Sequence, residues 1–140
     1  MTERVRDFMT IDPITVAQSA SVREAARAMR DSDVGDVIVL DDSQQLCGIV
    51  TDRDLAIRVI AEGMDPAETN LAEICSRQVE ALSPVDEVGD AIKLMRRKAI
   101  RRLPILEDGK PVGIVSLGDL AATLDPDSPL ADISTAPPNR

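Results

Sequence analysis

The feature that most restricts how this chain can fold is an internal duplication. The stretch Gly48–Asp54, GIVTDRD, ends an apolar run with a hydroxyl and charged residues, and Gly113–Asp119, GIVSLGD, repeats the pattern later. Longer blocks surround both motifs. The first copy contains SVREAARAMRDSDVGDVIVLDDSQQLCGIVTDRDLA and the second EVGDAIKLMRRKAIRRLPILEDGKPVGIVSLGDLA. Val22, Ala25, Ala26 and Met29 match Val88, Ala91, Ile92 and Met95 in order and type, at the i, i+3, i+4, i+7 spacing of an amphipathic helix. Ser21 with Glu24 forms a candidate capping box for the first helix, and Asp86 is a candidate cap for the second.

Each helix is followed by two short β-rich runs around a polar turn, DVIVLDD then LCGIV with SQQ between, and RLPILED then PVGIV with DGK between. A further strand is expected ahead of each helix, around Ile14–Ala17 and Val79–Leu82, and a second helix after each motif. The pattern predicts an α/β (α+β) chain built from two β-α-β-β-α copies. Units this small bury little apolar surface alone, so the copies are expected to pack together. The expected organisation is a first repeat over 5–61, a connector over 62–70, a second repeat over 71–124 and a mobile tail over 125–140, which is rich in Pro, Asp and Ser.

Composition narrows the chemistry. Among 140 residues the only aromatic is one phenylalanine, so the core is aliphatic, and 44% hydrophobic residues suffice to form it. A net charge of −9 and the lack of stacking residues disfavour nucleic acid as a partner. With no histidine, Ser-His-Asp and Cys-His catalysis and His-containing zinc sites are excluded. Neither a nucleophile–base pair nor a metal cluster is legible, so no enzyme and no metal are expected. Cys47 and Cys75 form no CxxC motif; they read as two buried thiols, with a redox-sensing pair as the alternative. A charged beginning without a signal peptide, and no run of about 20 apolar residues, point to a soluble cytoplasmic protein with no membrane association.

The repeated motif admits two chemistries. Ser/Thr-x-x-Asp is a capping box, so Thr51 with Asp54, and Ser116 with Asp119, can simply close helix N-termini. The same turn also suits a nucleotide: a helix N-terminus attracts phosphate, a hydroxyl donates to a phosphate oxygen, and a carboxylate accepts from the two hydroxyls of a ribose. Gly48 and Gly113 would let a ligand approach the strand. Spacing alone does not separate these readings.

Taken together, the amphipathic helix, the RRLPI stretch and the two GIV motifs resemble the cystathionine-β-synthase (CBS) domain family, over roughly residues 5 to 122. The segments VRDFMT and LAEICS sit where that family has a helical lead-in. The resemblance implies a stand-alone pair of repeats, a Bateman module of bacterial type with pseudo-twofold symmetry. It further implies clefts between the repeats that bind AMP, ADP or ATP, with S-adenosylmethionine or NAD ranked behind them and no obligate cofactor. Carried over, Thr51 and Ser116 reach phosphate, and Asp54 and Asp119 hold ribose. The adenine would rest near Ile14, Val37 and Ile38 in one copy, and near Val79, Leu103 and Pro104 in the other; such aliphatic residues also serve as plain core.

The copies differ in charge. Arg101 and Arg102 precede the RLPI strand, where the family places phosphate contacts, although basic residues at a helix end also favour its dipole. Their counterparts are Gly35 and Asp36, and an acid facing phosphate is unfavourable; Arg53 could offset it. Unequal sites, with at most one tight one, are expected. The module would act as a homodimer that signals to an effector protein. The alternative is a nucleotide-independent stress or interaction protein of the same fold, redox-responsive through Cys47 or Cys75.

Overall fold

The computed structural model describes residues 3–75 and 79–124. In chain order the elements are β1 (Thr10–Ile11), β2 (Thr15–Ala17), α1 (Val22–Ser32), β3 (Asp36–Leu40), β4 (Leu46–Thr51), α2 (Asp52–Asp54), α3 (Val88–Lys98), β5 (Arg102–Glu107), β6 (Lys110–Ser116) and α4 (Leu117–Leu124). Short 3-10 turns occur at Val5–Asp7 and Leu71–Glu73, and α2 runs directly into a π-helical turn, Leu55–Ile60. The expected mixed α+β architecture is present, in two compact units: Pro13–Val79, and the described residues up to Asp12 joined with those from Glu80 onward.

In the first-copy unit, β2 lies parallel to β3, and β3 is antiparallel to β4. Helix α1 starts with one half of the expected box: Ser21 Oγ accepts from the Glu24 amide at 3.2 Å. Val22, Ala25 and Met29 turn inward and Ala28 flanks them, whereas Ala26 is exposed, so the apolar face is narrower than its periodicity suggested. Val37, Val39, Val50, Val59, Leu71 and Ile74 complete this core.

In the second-copy unit the sheet order is β1-β6-β5, antiparallel throughout. Asp108 and Gly109, with φ 55° and 80°, turn the β5–β6 hairpin as an Asp-Gly pair should. Two local expectations change here. The strand foreseen around Val79–Leu82 shrinks to one parallel bridge, Leu82 to Ile105, because the next amide, Ser83, is taken by the Asp86 carboxylate at 2.8 Å. That bond also means Asp86 does not cap α3. The α3 N-cap is Glu87, without a side-chain cap, and the first helical amide, Val88, donates instead to the Glu3 carbonyl at 3.1 Å.

Glu3 belongs to a larger pattern: the lead-in segments are exchanged. Val5 and Arg6 amides donate to the Asp86 and Pro84 carbonyls, while Leu71 and Ala72 amides donate to the Ala20 and Gln18 carbonyls. Likewise Val22 donates to Thr69, as Val88 does to Glu3. Each helix N-terminus thus gains backbone acceptors for its orphan amides from the lead-in that precedes the other copy in sequence. Burial follows the same exchange, with Val5 in the second-copy core and Leu71 and Ile74 in the first-copy core. The repeats at 5–61 and 71–124 are therefore not the units of packing.

Strand β1 completes the exchange. Thr10 pairs with Ile114 and Ile11 with Gly113. A methyl group added at Gly113 would stand 2.5 Å from Met9 Sδ and 3.0 Å from the Thr10 carbonyl oxygen. Gly113 is small because this segment crosses it, which replaces the expected ligand clearance at that position. The expected tail over 125–140 lies outside the described residues.

Candidate functional site

Both motif turns have the same construction. A strand delivers the hydroxyl residue in extended conformation, and a helix begins at the next residue. At the first turn, Thr51 N donates to Asp54 Oδ2 at 2.9 Å, and Asp54 N donates to Thr51 Oγ1 at 3.1 Å. At the second, Ser116 N donates to Asp119 Oδ2 at 3.3 Å, and Asp119 N donates to Ser116 Oγ at 2.9 Å. All four side chains are half-buried. The capping boxes are closed in both copies.

A closed cap leaves chemical capacity. A carboxylate has two oxygens and about four lone-pair sites, and the cap takes one site on Oδ2. A hydroxyl that accepts from an amide still has its own proton to donate. The same turn can therefore close its helix and meet an incoming diol or phosphate.

The turns differ in what stands across the hairpin. Asp52 N donates to the Gly35 carbonyl at 2.9 Å, and Leu117 N donates to the Arg101 carbonyl at 2.8 Å, so Gly35 and Arg101 are equivalent positions. Registers agree: Asp36 pairs with Thr51, and Arg102 pairs with Ser116. Directly opposed residues project from the same sheet face. The second-copy hydroxyl therefore has an arginine as its cross-strand neighbour, and the first-copy hydroxyl an aspartate. Arg101 and Arg102 are exposed, as is Arg53.

The aliphatic candidates divide. Val37 and Leu103 are core, with Ile14 packed on the first cluster. Ile38 and Pro104 occupy equivalent places in their strands, are fully buried, and belong to neither core cluster. Alternation puts them on the sheet face opposite Val37 and Leu103. Val79 is half-buried and outside any strand, and Gly48 is buried in β4 opposite Val39.

One neighbour of the site went unnoticed in the sequence. Arg58 Nε lies 3.7 Å from Asp54 Oδ1, and its Nη1 donates to the Ile74 carbonyl at 2.9 Å. The signal was present as an i, i+4 acid–base pair. Position 123, its counterpart in the second copy, is threonine. The π-helical turn that carries Arg58, with bonds from Ala61 N to Ala56 O and from Met64 N to Val59 O, had no sequence signal. Such turns are rare and cluster at functional sites.

The helix–hairpin–helix order, with a capped Ser/Thr-x-x-Asp after the second hairpin strand, is present in both copies and is matched among known proteins. The CBS-domain profile fits residues 5–61 and 71–126. The chain belongs to the CBS-domain family. CBS domain-containing protein YhcV of Bacillus subtilis (strain 168) is 40% identical over 117 residues, covering 84% of this chain and 82% of the relative. Hypoxic response protein 1 of Mycobacterium tuberculosis (strain ATCC 25618 / H37Rv) is 29% identical over 119 residues, covering 85% and 83%. A crystal structure of Hypoxic Response Protein I with two coordinated zinc ions superposes with TM-score 0.79 at 28% identity, covering 85% of this chain and 97% of that one.

Among the described residues no group of three or more His, Cys, Asp or Glu is placed to hold a metal ion. No helix among the described residues is long and apolar enough to cross a membrane. A tandem of CBS domains is typically a regulatory module and not an enzyme.

Proposed function

We propose that this CBS pair is a non-catalytic sensor of adenine nucleotides, with AMP, ADP or ATP held chiefly at the second-copy turn. One observation carries the assignment: Arg102 stands directly across from Ser116, where the first copy pairs Asp36 with Thr51. Phosphate meets the α4 N-terminus, the Ser116 hydroxyl and the Arg101–Arg102 pair, while Asp119 accepts from the ribose hydroxyls. The first-copy turn has the same acid and hydroxyl but the wrong charge opposite them, and binds weakly. Metabolite levels call for dissociation constants of roughly micromolar to millimolar, about −8 to −4 kcal/mol.

Binding is passed on by population shift, because a nucleotide favours whichever arrangement of the chain it contacts better. Exposed Ile57 and Ile60 on the π-helical turn suit a homodimer contact, and a hexameric CBS-CP12 protein of cyanobacteria is among the structural relatives. The module works in the cytoplasm on an effector protein.

Calorimetric titration with AMP, ADP and ATP tests the proposal. Wild type should show one dominant event, weakened at least tenfold by Arg102→Ala. The closed caps favour a second reading, a nucleotide-independent interaction protein, and titrations with no heat for any of the three nucleotides would select it.

A further inference from the structure

The two cysteines, 28 positions apart, meet in the first-copy unit with their Sγ atoms 3.7 Å apart. Cys47 lies on β4 immediately before Gly48 and is half-buried; Cys75 follows the 3-10 turn Leu71–Glu73 and is buried. Both touch the same aliphatic cluster. The β3–β4 register steps from Val39–Gly48 to Leu40–Leu46, which leaves Cys47 as the extra residue of a β-bulge. A bulge bends the strand locally and re-aims its side chains. In the second-copy unit the same step leaves Val112 as the extra residue, and Met9 stands where the lead-in of the first-copy unit has Cys75. Only one copy therefore carries thiols at this contact.

Cys75 also adjoins the motif acid through a short chain of contacts. Its neighbour Ile74 offers the carbonyl that Arg58 Nη1 holds at 2.9 Å, and Arg58 Nε lies 3.7 Å from Asp54 Oδ1. An S–S bond of about 2.05 Å requires the two sulfurs to close by more than 1 Å, and any part of that movement taken by the Cys75 backbone displaces the adjoining Ile74 carbonyl.

We propose that Cys47 and Cys75 form a reversible dithiol–disulfide couple, oxidised by hydroperoxides, whose closure loosens the hold of Arg58 on Asp54. The half-buried Cys47 thiolate attacks a hydroperoxide oxygen, giving a sulfenic acid as the alcohol, or water, departs. Cys75 sulfur then attacks Cys47 sulfur, forming the disulfide and releasing water. Two electrons pass from the thiols to the peroxide, and a dithiol reductant returns them.

The test treats the reduced full-length chain with hydrogen peroxide, then alkylates it in denaturant for intact mass and non-reducing peptide mapping. The expected product has the mass of one chain less two hydrogens, takes up no alkylating agent, and yields one Cys47–Cys75 cross-linked peptide. In Cys75→Ser, a dimedone adduct should instead accumulate on Cys47. Two alkylatable thiols after oxidation, or a bond between chains, would overturn the couple. Hydrogen exchange of oxidised against reduced wild type reads the second half of the proposal. Loss of protection at the Thr51 amide, which Asp54 holds, is expected, and unchanged protection there with the disulfide formed would overturn the coupling. Neither readout involves nucleotide, so the result is independent of the ligand proposed above.

Discussion

Removing the motif carboxylates one at a time separates their work as caps from their work on a ligand. Asp54→Ala loses a 2.9 Å bond to the Thr51 amide and the contact with Arg58, from a carboxylate whose side chain is 18% exposed. The hydrogen bond is worth about 1 kcal/mol, the negative charge at a helix start about 0.5 kcal/mol, and the exposed i, i+4 pair about 0.4 kcal/mol. Asp54→Ala should therefore destabilise the chain by about 2 kcal/mol. Asp119→Ala loses a longer bond, 3.3 Å, and should cost about 1 kcal/mol. Asparagine keeps an oxygen for the amide, so each Asp→Asn change should cost only about 0.5 kcal/mol. Urea titration of the four variants gives these differences, with melting shifts of roughly 3 °C per kcal/mol as a check. If Asn proves as costly as Ala, or if both alanine variants are neutral, the cap geometry does not govern these turns. The asparagine variants then serve as stable proteins in which a loss of nucleotide affinity is a loss of ligand contact.

Two further substitutions test the packing. Gly113→Ala drives a methyl against Met9 and the Thr10 carbonyl and should cost about 1–3 kcal/mol; in a Met9→Ala background the penalty should shrink, and an equal penalty in both would mean that β1 does not cross Gly113. Ala99, the C-cap of α3, sits at φ 54°, so Ala99→Gly should raise stability by about 0.5–1 kcal/mol, read as a higher urea midpoint; a lower midpoint would argue against the left-handed cap.

Local signals carried most of the fold. Ser21 announced α1, Asp108-Gly109 the second hairpin, and the Thr51 and Ser116 motifs the strand-to-helix turns, because each depends on neighbours within one turn or strand. Aligning the copies also placed Asp36 and Arg102 at one structural position, since pairing register is fixed by short hairpins. What stayed hidden depends on distant partners. Glu3 serving as acceptor for α3, and Leu71 packing on α1, follow from an exchange of lead-ins that no periodicity encodes. Asp86 is a local miss: its carboxylate turns back to the Ser83 amide three residues upstream, a choice the spacing to α3 does not reveal. The approach of Cys47 to Cys75 required both the β4 bulge and the lead-in exchange. Ala26 satisfied the helical spacing yet faces outward, since a small residue at the edge of an apolar stripe is tolerated on either side.

Backbone amide spectra recorded during an AMP titration address the central claim most directly. Early, saturating shifts at Arg102 and from Ser116 to Leu120 are predicted, with weaker and later changes from Thr51 to Asp54. Shifts that begin at the Thr51 turn while Ser116 and Asp119 stay still would contradict the account.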